Sequence, residues 1–154
     1  MAQLEAGGAA PDFELAGADG PVRLADFKGK ALVLYFYPKD DTTGCTREAQ
    51  DFTTLAPEFA KAGAAVLGVS KDSVASHAKF TAKHGLGIPL GSDPEGVVIE
   101  RYGSWVEKSL YGRKYMGIDR STFLIDKAGK VARVWRKVKT PGHAAEVLKA
   151  AQTL

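Results

Sequence analysis

The sequence predicts one α/β domain in which a mixed central β-sheet is flanked by helices. Two continuous apolar runs of strand length, residues 30–37 and 64–70, are separated by a helical pattern. Strands that are buried on both faces are typical of parallel sheets, so this order predicts a right-handed β-α-β unit. Two later strand patterns, separated by a turn that contains Gly129, predict an antiparallel hairpin in the same sheet.

Length and composition agree with a single globular domain over residues 1–154. The chain is 45% hydrophobic and 25% charged, which is ordinary for such a domain. No apolar run approaches the roughly 18 residues that span a bilayer, and the N-terminus lacks the basic and apolar regions of a secretory signal. We therefore expect a cytoplasmic protein that does not bind membranes, provided that no leader has been removed.

Charge is distributed unevenly along the chain. Residues 1–77 carry 7 basic and 11 acidic side chains, whereas residues 78–154 carry 14 basic and 7 acidic ones. A basic half can attract nucleic acid, but no basic run here is interleaved with aromatic residues. The densest basic stretch, residues 133–139, alternates like an edge strand. The pattern therefore predicts a solvated surface with one or two arginines that bind anions, and no nucleic-acid partner.

The first half of the chain contains the elements that would position a site. Pro38 ends the first long strand, and Gly63 provides a stop for the next helix. Pro57 has no backbone donor, so we expect it to kink or restart that helix. The predicted elements are, in order, hairpin strands at residues 13–15 and 22–24, a strand at 30–37, a helix at 45–63 and a strand at 64–70.

The second half of the chain supplies the remaining strands and helices of the predicted fold. Asp72 or Ser73 can cap a helix that ends at Gly85, and Thr140 can cap the last helix, with Pro141 as its first residue. The predicted elements are, in order, a helix at 73–84, a short strand at 88–90, a short helix at 93–102, a loop at 103–117 that closes over a pocket, strands at 121–125 and 131–135, and a final helix. This order matches the thioredoxin fold with an added N-terminal β-hairpin.

Cys45 is the only cysteine in the chain, which excludes an internal disulfide and a cysteine-rich metal site. A lone cysteine is more often an inert core residue than a nucleophile. This one follows the carboxyl end of a central strand and falls in the first turn of the next helix, where open α/β sheets place their ligand sites. Unpaired amides and the helix dipole at that position stabilise a thiolate, which is the nucleophilic form.

A longer motif surrounds this cysteine. Pro38, Thr42 and Cys45 have the spacing P-x-x-x-T-x-x-C, and residues 36–48 read FYPKDDTTGCTRE. This segment resembles the peroxiredoxin family, and within it the Q-type subfamily, also called the bacterioferritin comigratory proteins. Similar segments follow in the same order at residues 68–70, 92–93, 117–126 and 135–139. The resemblance therefore covers nearly the whole chain.

The resemblance implies a thiol-dependent peroxidase that reduces hydrogen peroxide and organic hydroperoxides without a metal or a cofactor. In such an enzyme Cys45 attacks the peroxide and becomes a sulfenic acid, while Thr42 hydrogen-bonds the peroxide and the thiolate. Pro38 shields the thiolate from water, and Arg120 lies beside Cys45 and binds peroxide oxygens. Fixed donors and a cation along the breaking oxygen–oxygen bond would stabilise the charge that moves to the leaving oxygen.

Two neighbours of Cys45 have supporting roles in this interpretation. Gly44 has no side chain, which lets a substrate approach the sulfur closely. Glu48, one helical turn after Cys45, either orients an arginine or is an exposed carboxylate at the helix start. Aromatic residues of the 103–117 loop, Trp105, Tyr111 and Tyr115, are candidates to cover the pocket.

The sequence departs from the subfamily at three positions. Thr43 replaces a usual proline, which loosens the turn before Cys45 without removing a chemical group. Gln50 and the region of Thr81 are positions where other members carry a resolving cysteine. The chain therefore needs an outside thiol for the second half of its cycle, such as thioredoxin, glutaredoxin or glutathione. The sequence leaves open whether the missing cysteine is natural or the result of engineering.

Two other functions remain possible at this point. A thiol-disulfide oxidoreductase of the same fold would normally need a Cys-x-x-Cys pair, which is missing. A redox sensor or a chaperone-like binding module would use oxidation of Cys45 to change its affinity for a partner without fast turnover. No unpartnered apolar helix face is apparent in the sequence, so we expect a monomer or a weak dimer.

The remaining polar and aromatic residues do not form a second site in the sequence. His77, His84 and His143 lack metal-ligand spacing, and we expect them at the surface or at helix ends. Asp40 and Asp41 form a turn-like acidic pair without further metal ligands. Trp105 and Trp135 are expected to be packing residues.

Overall fold

The computed structural model describes residues 4–154, which form a five-stranded mixed sheet, two small hairpins and four α-helices. The helices are α1 (Thr43–Lys61), α2 (Val74–His84), α3 (Val97–Arg101) and α4 (His143–Gln152). The strands are β1 (Glu14–Leu15), β2 (Val22–Arg23), β3 (Ala31–Phe36), β4 (Ala64–Ser70), β5 (Leu90–Ser92), β6 (Trp105–Leu110), β7 (Arg113–Ile118), β8 (Ser121–Ile125) and β9 (Val131–Trp135).

Strand β3 is the centre of the main sheet, whose order is β5-β4-β3-β8-β9. Strand β4 runs parallel to β3 and β5, while β8 is antiparallel to β3 and β9. The parallel β3-α1-β4 unit places the start of α1 at the carboxyl edge of β3, where ligand sites of such sheets lie. The predicted mixed sheet with an N-terminal β1-β2 hairpin is confirmed.

Strand β3 buries different side chains on its two faces, because successive residues of a strand point in opposite directions. Ala31, Val33 and Tyr35 belong to a core that also contains residues of α1, α2 and α4. The intervening side chains belong to a second core, which the N-terminal segment and α3 complete. Every residue of β3 is at most 3% exposed, so the strand is buried on both faces, as its apolar run predicts.

Helix α1 begins at Thr43, two residues before the predicted start, and continues without interruption through Pro57 to Lys61. The predicted restart at Pro57 is therefore wrong. Pro57 is exposed, so water can reach the backbone carbonyl that loses its partner in the preceding turn. Gly63, with a φ of 75°, follows the end of the helix as predicted.

The boundaries of α2 are confirmed. The Ser73 hydroxyl accepts a hydrogen bond from the backbone of Ser76 and caps the helix, and Gly85 ends it with a φ of 61°. Strand β5 lies two residues later than predicted, because Pro89 cannot donate to the sheet.

The starts of the last two helices also differ from the prediction. Helix α3 starts at Val97, and the carboxylate of Asp93 accepts a hydrogen bond from the backbone of Ile99 at 2.8 Å. Helix α4 starts at His143 with Gly142 as its N-cap, so the predicted cap at Thr140 is wrong. Gly142 has a φ of 75°, a conformation that favours glycine over threonine.

The predicted loop at residues 103–117 is wrong, because β6 and β7 form a regular antiparallel hairpin there. Its two-residue tip is Tyr111 and Gly112. Tyr111 is 100% exposed and Tyr115 is 47% exposed. The tip of this hairpin therefore projects into solvent and does not close over a pocket.

The N-terminal segment pairs with both edges of the main sheet. Ala9 bridges Lys130 beside β9, and the amide of Gly7 donates to the carbonyl of Val131 at 2.8 Å. Ala16 bridges Ser92 in β5. Within residues 4–154, no helix is long and apolar enough to cross a membrane.

Candidate active site

Cys45 lies in the first turn of α1, immediately beyond the carboxyl end of β3. Its side chain is 1% exposed and packs against the core on the helical face of the sheet. The turn that leads from β3 to α1 contains Pro38 and Thr42, both of which are exposed. The sulfur is therefore buried, although the loop that precedes it in the chain is exposed.

Arg120 lies between β7 and β8 and points at the sulfur. Its Nη2 donates to the Sγ of Cys45 at 3.2 Å, and its Nη1 donates to Oε1 of Glu48 at 2.8 Å. The backbone carbonyl of Arg120 accepts a hydrogen bond from the amide of Val138. Two hydrogen bonds from one planar guanidinium fix its orientation, since the fork geometry is rigid. The structure thus brings together three of the predicted site residues, Cys45, Glu48 and Arg120.

Glu48 is buried, with 1% of its side chain exposed in the ion pair with Arg120. This excludes the exposed carboxylate that the sequence left open. Burial raises the pKa of Glu48 to about 7, although the nearby Arg120 opposes this shift. The charges of Glu48 and Cys45 outweigh the effect of burial on Arg120 and raise the pKa of its guanidinium. Arg120 therefore stays charged beside the sulfur.

Two buried oxygens near this ion pair have no hydrogen-bond partner among residues 4–154. They are Oε2 of Glu48 and the hydroxyl of Tyr35. The ring of Tyr35 stacks on Phe52 of α1 with 4.7 Å between the ring centroids. Burial, followed by the nearby Glu48, raises the pKa of Tyr35 well above its ordinary value, so the phenol stays neutral.

The structure explains why a glycine occupies position 44, because the guanidinium of Arg120 lies beside it. A Cβ atom at Gly44 would lie 3.2 Å from Nη2 of Arg120, closer than ordinary van der Waals contact. A larger side chain would therefore press on the guanidinium that contacts Cys45. The space at Gly44 admits the arginine, whereas the sequence suggested that it admits the substrate.

The hydroxyl of Thr42 donates to the backbone carbonyl of Lys39 at 2.8 Å. The backbone carbonyl of Thr42 accepts a hydrogen bond from the amide of Thr46. This hydrogen bond lies at the start of α1. The hydroxyl is therefore turned toward its own loop in this state, not toward the sulfur. Thr43, which replaces a usual proline, is simply the first residue of α1.

A buried polar cluster holds this loop against α2, and the sequence did not predict it. The carboxylate of Asp40 accepts hydrogen bonds from the hydroxyls of Tyr37 and Ser76, at 2.6 Å and 2.8 Å. Nδ1 of His77 lies 2.7 Å from the same carboxylate, and Nε2 of His77 lies 3.1 Å from the carbonyl of Gly91. Burial alone would raise the pKa of Asp40, but these hydrogen bonds outweigh it and hold the pKa below its ordinary value.

The next residue provides a second, exposed attachment to α2. Asp41 has a φ of 59°. Its carboxylate accepts hydrogen bonds from Lys83 and lies 2.7 Å from Nε2 of His84. The loop before Cys45 is thus attached to both ends of α2.

The expectation that all three histidines lie at the surface or at helix ends is wrong for His77, which is buried one turn into α2. His143 is the first residue of α4 but is also buried. Its Nε2 lies 2.7 Å from the hydroxyl of Thr122, and burial lowers its pKa to about 4. The helical spacing of His77, Phe80 and His84, which share one face, could have indicated that His77 is buried.

No group of three histidine, cysteine or acidic side chains in the described part of the chain could hold a metal ion. The tryptophans are partly buried, as expected of packing residues: Trp105 contacts Lys71, and Trp135 contacts Arg133. The chemistry available at the site is thus a sulfur beside a fixed cation at a helix start, which favours a nucleophilic thiolate.

The model of the AhpC/TSA family matches residues 6–134 of the chain. The putative peroxiredoxin bcp of Coxiella burnetii is 50% identical over 146 residues, which cover 94% of this chain and 97% of that protein. The peroxiredoxin Bcp of Bacillus subtilis is 51% identical and covers 94% of this chain and 93% of its own length.

Solved structures agree with these relatives. The bacterioferritin comigratory protein of Xanthomonas campestris, studied for its alkyl peroxide reduction activity, has a TM-score of 0.90 and 45% identity. The match covers 97% of this chain and 98% of that one. BcpB of Mycobacterium tuberculosis has a TM-score of 0.86 and 36% identity, and the match covers 99% of both chains. The predicted thioredoxin-like fold class is confirmed.

Proposed function

The chain belongs to the AhpC/TSA family, among the peroxiredoxins of the Bcp or Q type, and is a thiol peroxidase, and on this premise we propose that Cys45 is its peroxidatic residue. The observation that carries this assignment is the 3.2 Å hydrogen bond from Nη2 of Arg120 to the sulfur. The substrates of the enzyme are a peroxide and a reducing thiol. The proposed roles of the individual residues follow from the geometry of the site.

In the first step, the thiolate of Cys45 attacks the terminal oxygen of a hydroperoxide. A sulfur–oxygen bond forms as the oxygen–oxygen bond breaks, and sulfur is oxidised to a sulfenic acid. The peroxide is reduced to water, or to an alcohol for an organic hydroperoxide, once the leaving oxygen takes up a proton. Arg120 stabilises the negative charge as it moves from sulfur to the leaving oxygen.

Thr42 and Pro38 border the path to the sulfur in this proposal. Rotation of the Thr42 hydroxyl away from the carbonyl of Lys39 would let it donate to the incoming peroxide. Pro38 is part of this loop and has no N–H group that could bind water. Its apolar ring therefore limits the access of water to the thiolate. Gly44 and Glu48 act indirectly, because one leaves space for Arg120 and the other orients it.

The second half of the cycle uses a thiol from another molecule, because the 154 residues contain no second cysteine. That thiol attacks the sulfenic acid, water leaves, and a mixed disulfide forms. A second thiol then displaces Cys45 and restores it. We propose thioredoxin, glutaredoxin or glutathione as the donor, a monomer or weak dimer as the working form, and the cytoplasm as the compartment, since thiols are kept reduced there.

Replacement of Cys45 tests the assignment. In a stopped-flow experiment, the wild type should consume one equivalent of hydrogen peroxide in a rapid phase, and its intact mass should increase by one oxygen. The variant Cys45→Ser should show neither change. The variant Thr54→Ser, on the exposed side of α1, should behave as the wild type. A slow oxidation of Cys45 without turnover would instead support the redox sensor.

A further inference from the structure

The β6-β7 hairpin carries most of the large hydrophobic side chains that are exposed in the described chain. Six large hydrophobic side chains are exposed in residues 4–154, and four of them are Leu110, Tyr111, Tyr115 and Met116. Large exposed apolar groups that cluster on one element indicate an interaction site. Tyrosine and arginine are also residue types that protein interfaces favour.

Tyr111 occupies a position where folding alone would favour another residue. Tyr111 and Gly112 both have positive φ, 52° and 76°, as a two-residue type I′ turn requires. Asparagine or glycine is preferred at the first of these positions, because a bulky side chain is strained there. Tyr111 makes no compensating contact, since it is 100% exposed. A strained and fully solvated aromatic residue points to a role outside the fold.

The register of the hairpin gathers positive charge on the same surface. Lys108 pairs with Tyr115, and Leu110 pairs with Arg113, so these four side chains share one face. Together with Tyr111 at the tip, they form what we call the hairpin face. Glu107 is the only acidic residue of the hairpin, and the alternation of the strands directs it to the opposite side, together with Lys114 and Met116. The hairpin face is therefore cationic and apolar.

The base of the hairpin is directly connected to the active site. Arg120 follows β7 by two residues, and the amide of Asp119 donates to the carbonyl of Ser104, just before β6, at 2.7 Å. A six-residue strand extends roughly 20 Å, which is within the width of a standard protein interface. One small protein is therefore wide enough to contact the hairpin face and the surface around the active site at the same time.

We propose that the hairpin face docks the reducing partner of this enzyme, an acidic dithiol protein of the thioredoxin kind. This proposal rests on the proposed function, in which the thiol must come from outside the chain. One sulfur of the partner displaces water from the Cys45 sulfenic acid, and its second sulfur then releases Cys45 as the partner becomes a disulfide. A second copy of this chain is disfavoured as occupant, because a symmetric contact would bring two cationic faces together.

The test uses an acidic, reduced thioredoxin as the probe and three variants of the full chain. Tyr111→Asn removes the aromatic ring and suits the turn better, so this variant should fold. Arg113→Glu reverses one charge on the hairpin face. Lys149→Glu makes the same charge change on the exposed side of α4 and is the control. Turnover is measured with thioredoxin and, in parallel, with dithiothreitol, which needs no docking surface.

With thioredoxin, kcat/KM of Tyr111→Asn and Arg113→Glu should fall by about tenfold, as for loss of an interface anchor. Turnover with dithiothreitol and the rate of Cys45 oxidation by peroxide should stay unchanged, as should all rates of Lys149→Glu. The wild-type rate with thioredoxin should also fall as salt is added, and this dependence should weaken in Arg113→Glu.

Equal rates of wild type and variants with thioredoxin would overturn the docking proposal, as would an equal loss with dithiothreitol. A wild type that thioredoxin does not reduce, or a dimer that Tyr111→Asn dissociates in sedimentation, would also overturn it. Failure of the proposed function looks different, because peroxide would then leave Cys45 of the wild type unoxidised before any thiol is added.

Discussion

Glu48 is a buried carboxylate that fixes the orientation of Arg120 beside Cys45. It holds Nη1 of Arg120 with one oxygen, and its other oxygen has no partner within the described residues. Burial of this half-satisfied group raises its pKa to about 7. The carboxyl group therefore changes charge close to neutral pH, while Arg120 stays charged beside the sulfur.

The raised pKa of Glu48 predicts how stability depends on pH. Since the folded-state pKa lies above the ordinary 4.5, the protonated form favours folding, fully so below pH 4.5, and this contribution is lost as the pH rises through about 7. Across that window, the free energy of unfolding of the wild type should fall relative to that of Glu48→Gln by on the order of 3 kcal/mol at most. Urea denaturation at fixed ionic strength measures the difference, and parallel curves for the two proteins would contradict it.

The sequence predicts individual site residues where local rules apply. Cys45 and Thr42 lie within one short motif, and the helix start beside them follows from the strand before it. In the sequence Asp40 is half of a turn-like acidic pair, and its partners Ser76 and His77 are more than thirty residues away. Buried hydrogen bonds between distant residues have no local pattern, and this cluster could not be predicted for that reason.

At the scale of elements, helix α2 acts as a support for the loop that precedes Cys45. Asp40 and Asp41 attach that loop to the start and the end of α2. The first attachment is buried and the second is exposed. Since exposed ion pairs contribute little, the buried cluster of Asp40 and His77 is the stronger of the two.

Loss of the buried attachment should slow the reaction of Cys45 with peroxide. His77→Leu removes a hydrogen bond from the Asp40 carboxylate, so we expect a loss of about 1–3 kcal/mol in stability and a lower rate of oxidation. Ser73→Ala removes the N-cap of the same helix at a cost of about 1 kcal/mol but leaves the loop contacts intact. Single-turnover oxidation and urea denaturation of both variants measure the two effects. A similar rate for His77→Leu and Ser73→Ala would show that α2 does not position the loop.

The elements of the sheet could be predicted from apolar periodicity, but the β6-β7 hairpin could not. Strands β3 and β8 are buried on both faces and therefore read as continuous apolar runs. The outer part of β6 and β7 is exposed on both faces, so no alternation of polar and apolar residues indicates a strand there. The turn at Tyr111 also lacks the asparagine that usually identifies such a hairpin.

At the scale of the whole molecule, a single cysteine makes the enzyme dependent on its supply of thiol. In the proposed cycle the sulfenic acid of Cys45 waits in the active site until a partner arrives, and a second peroxide can react with it during this time. Cys45 is 1% exposed, so a local opening must expose the sulfur before an outside thiol can reach it.

We therefore expect inactivation when peroxide is abundant and thiol is scarce. Excess hydrogen peroxide without reductant should add two oxygens to Cys45, and activity should not return when dithiothreitol is supplied later. The same peroxide dose with dithiothreitol present from the start should leave the enzyme active and its mass unchanged. Intact mass and residual turnover measure both outcomes. Full recovery after late addition of thiol would contradict the expectation.

The N-terminal segment also has a consequence for how copies of this chain behave in concentrated solution. An open β-sheet edge is a template on which another chain can add a strand and start a fibre. Here the same stretch of backbone, from Gly7 to Ala16, reaches β5 at one edge and the start of β9 at the other. Arg133 adds an exposed charge farther along β9. Cleavage of the chain within residues 7–16 would expose both edges of the sheet at once. The cleaved molecules would then have two edges on which another chain could add a strand.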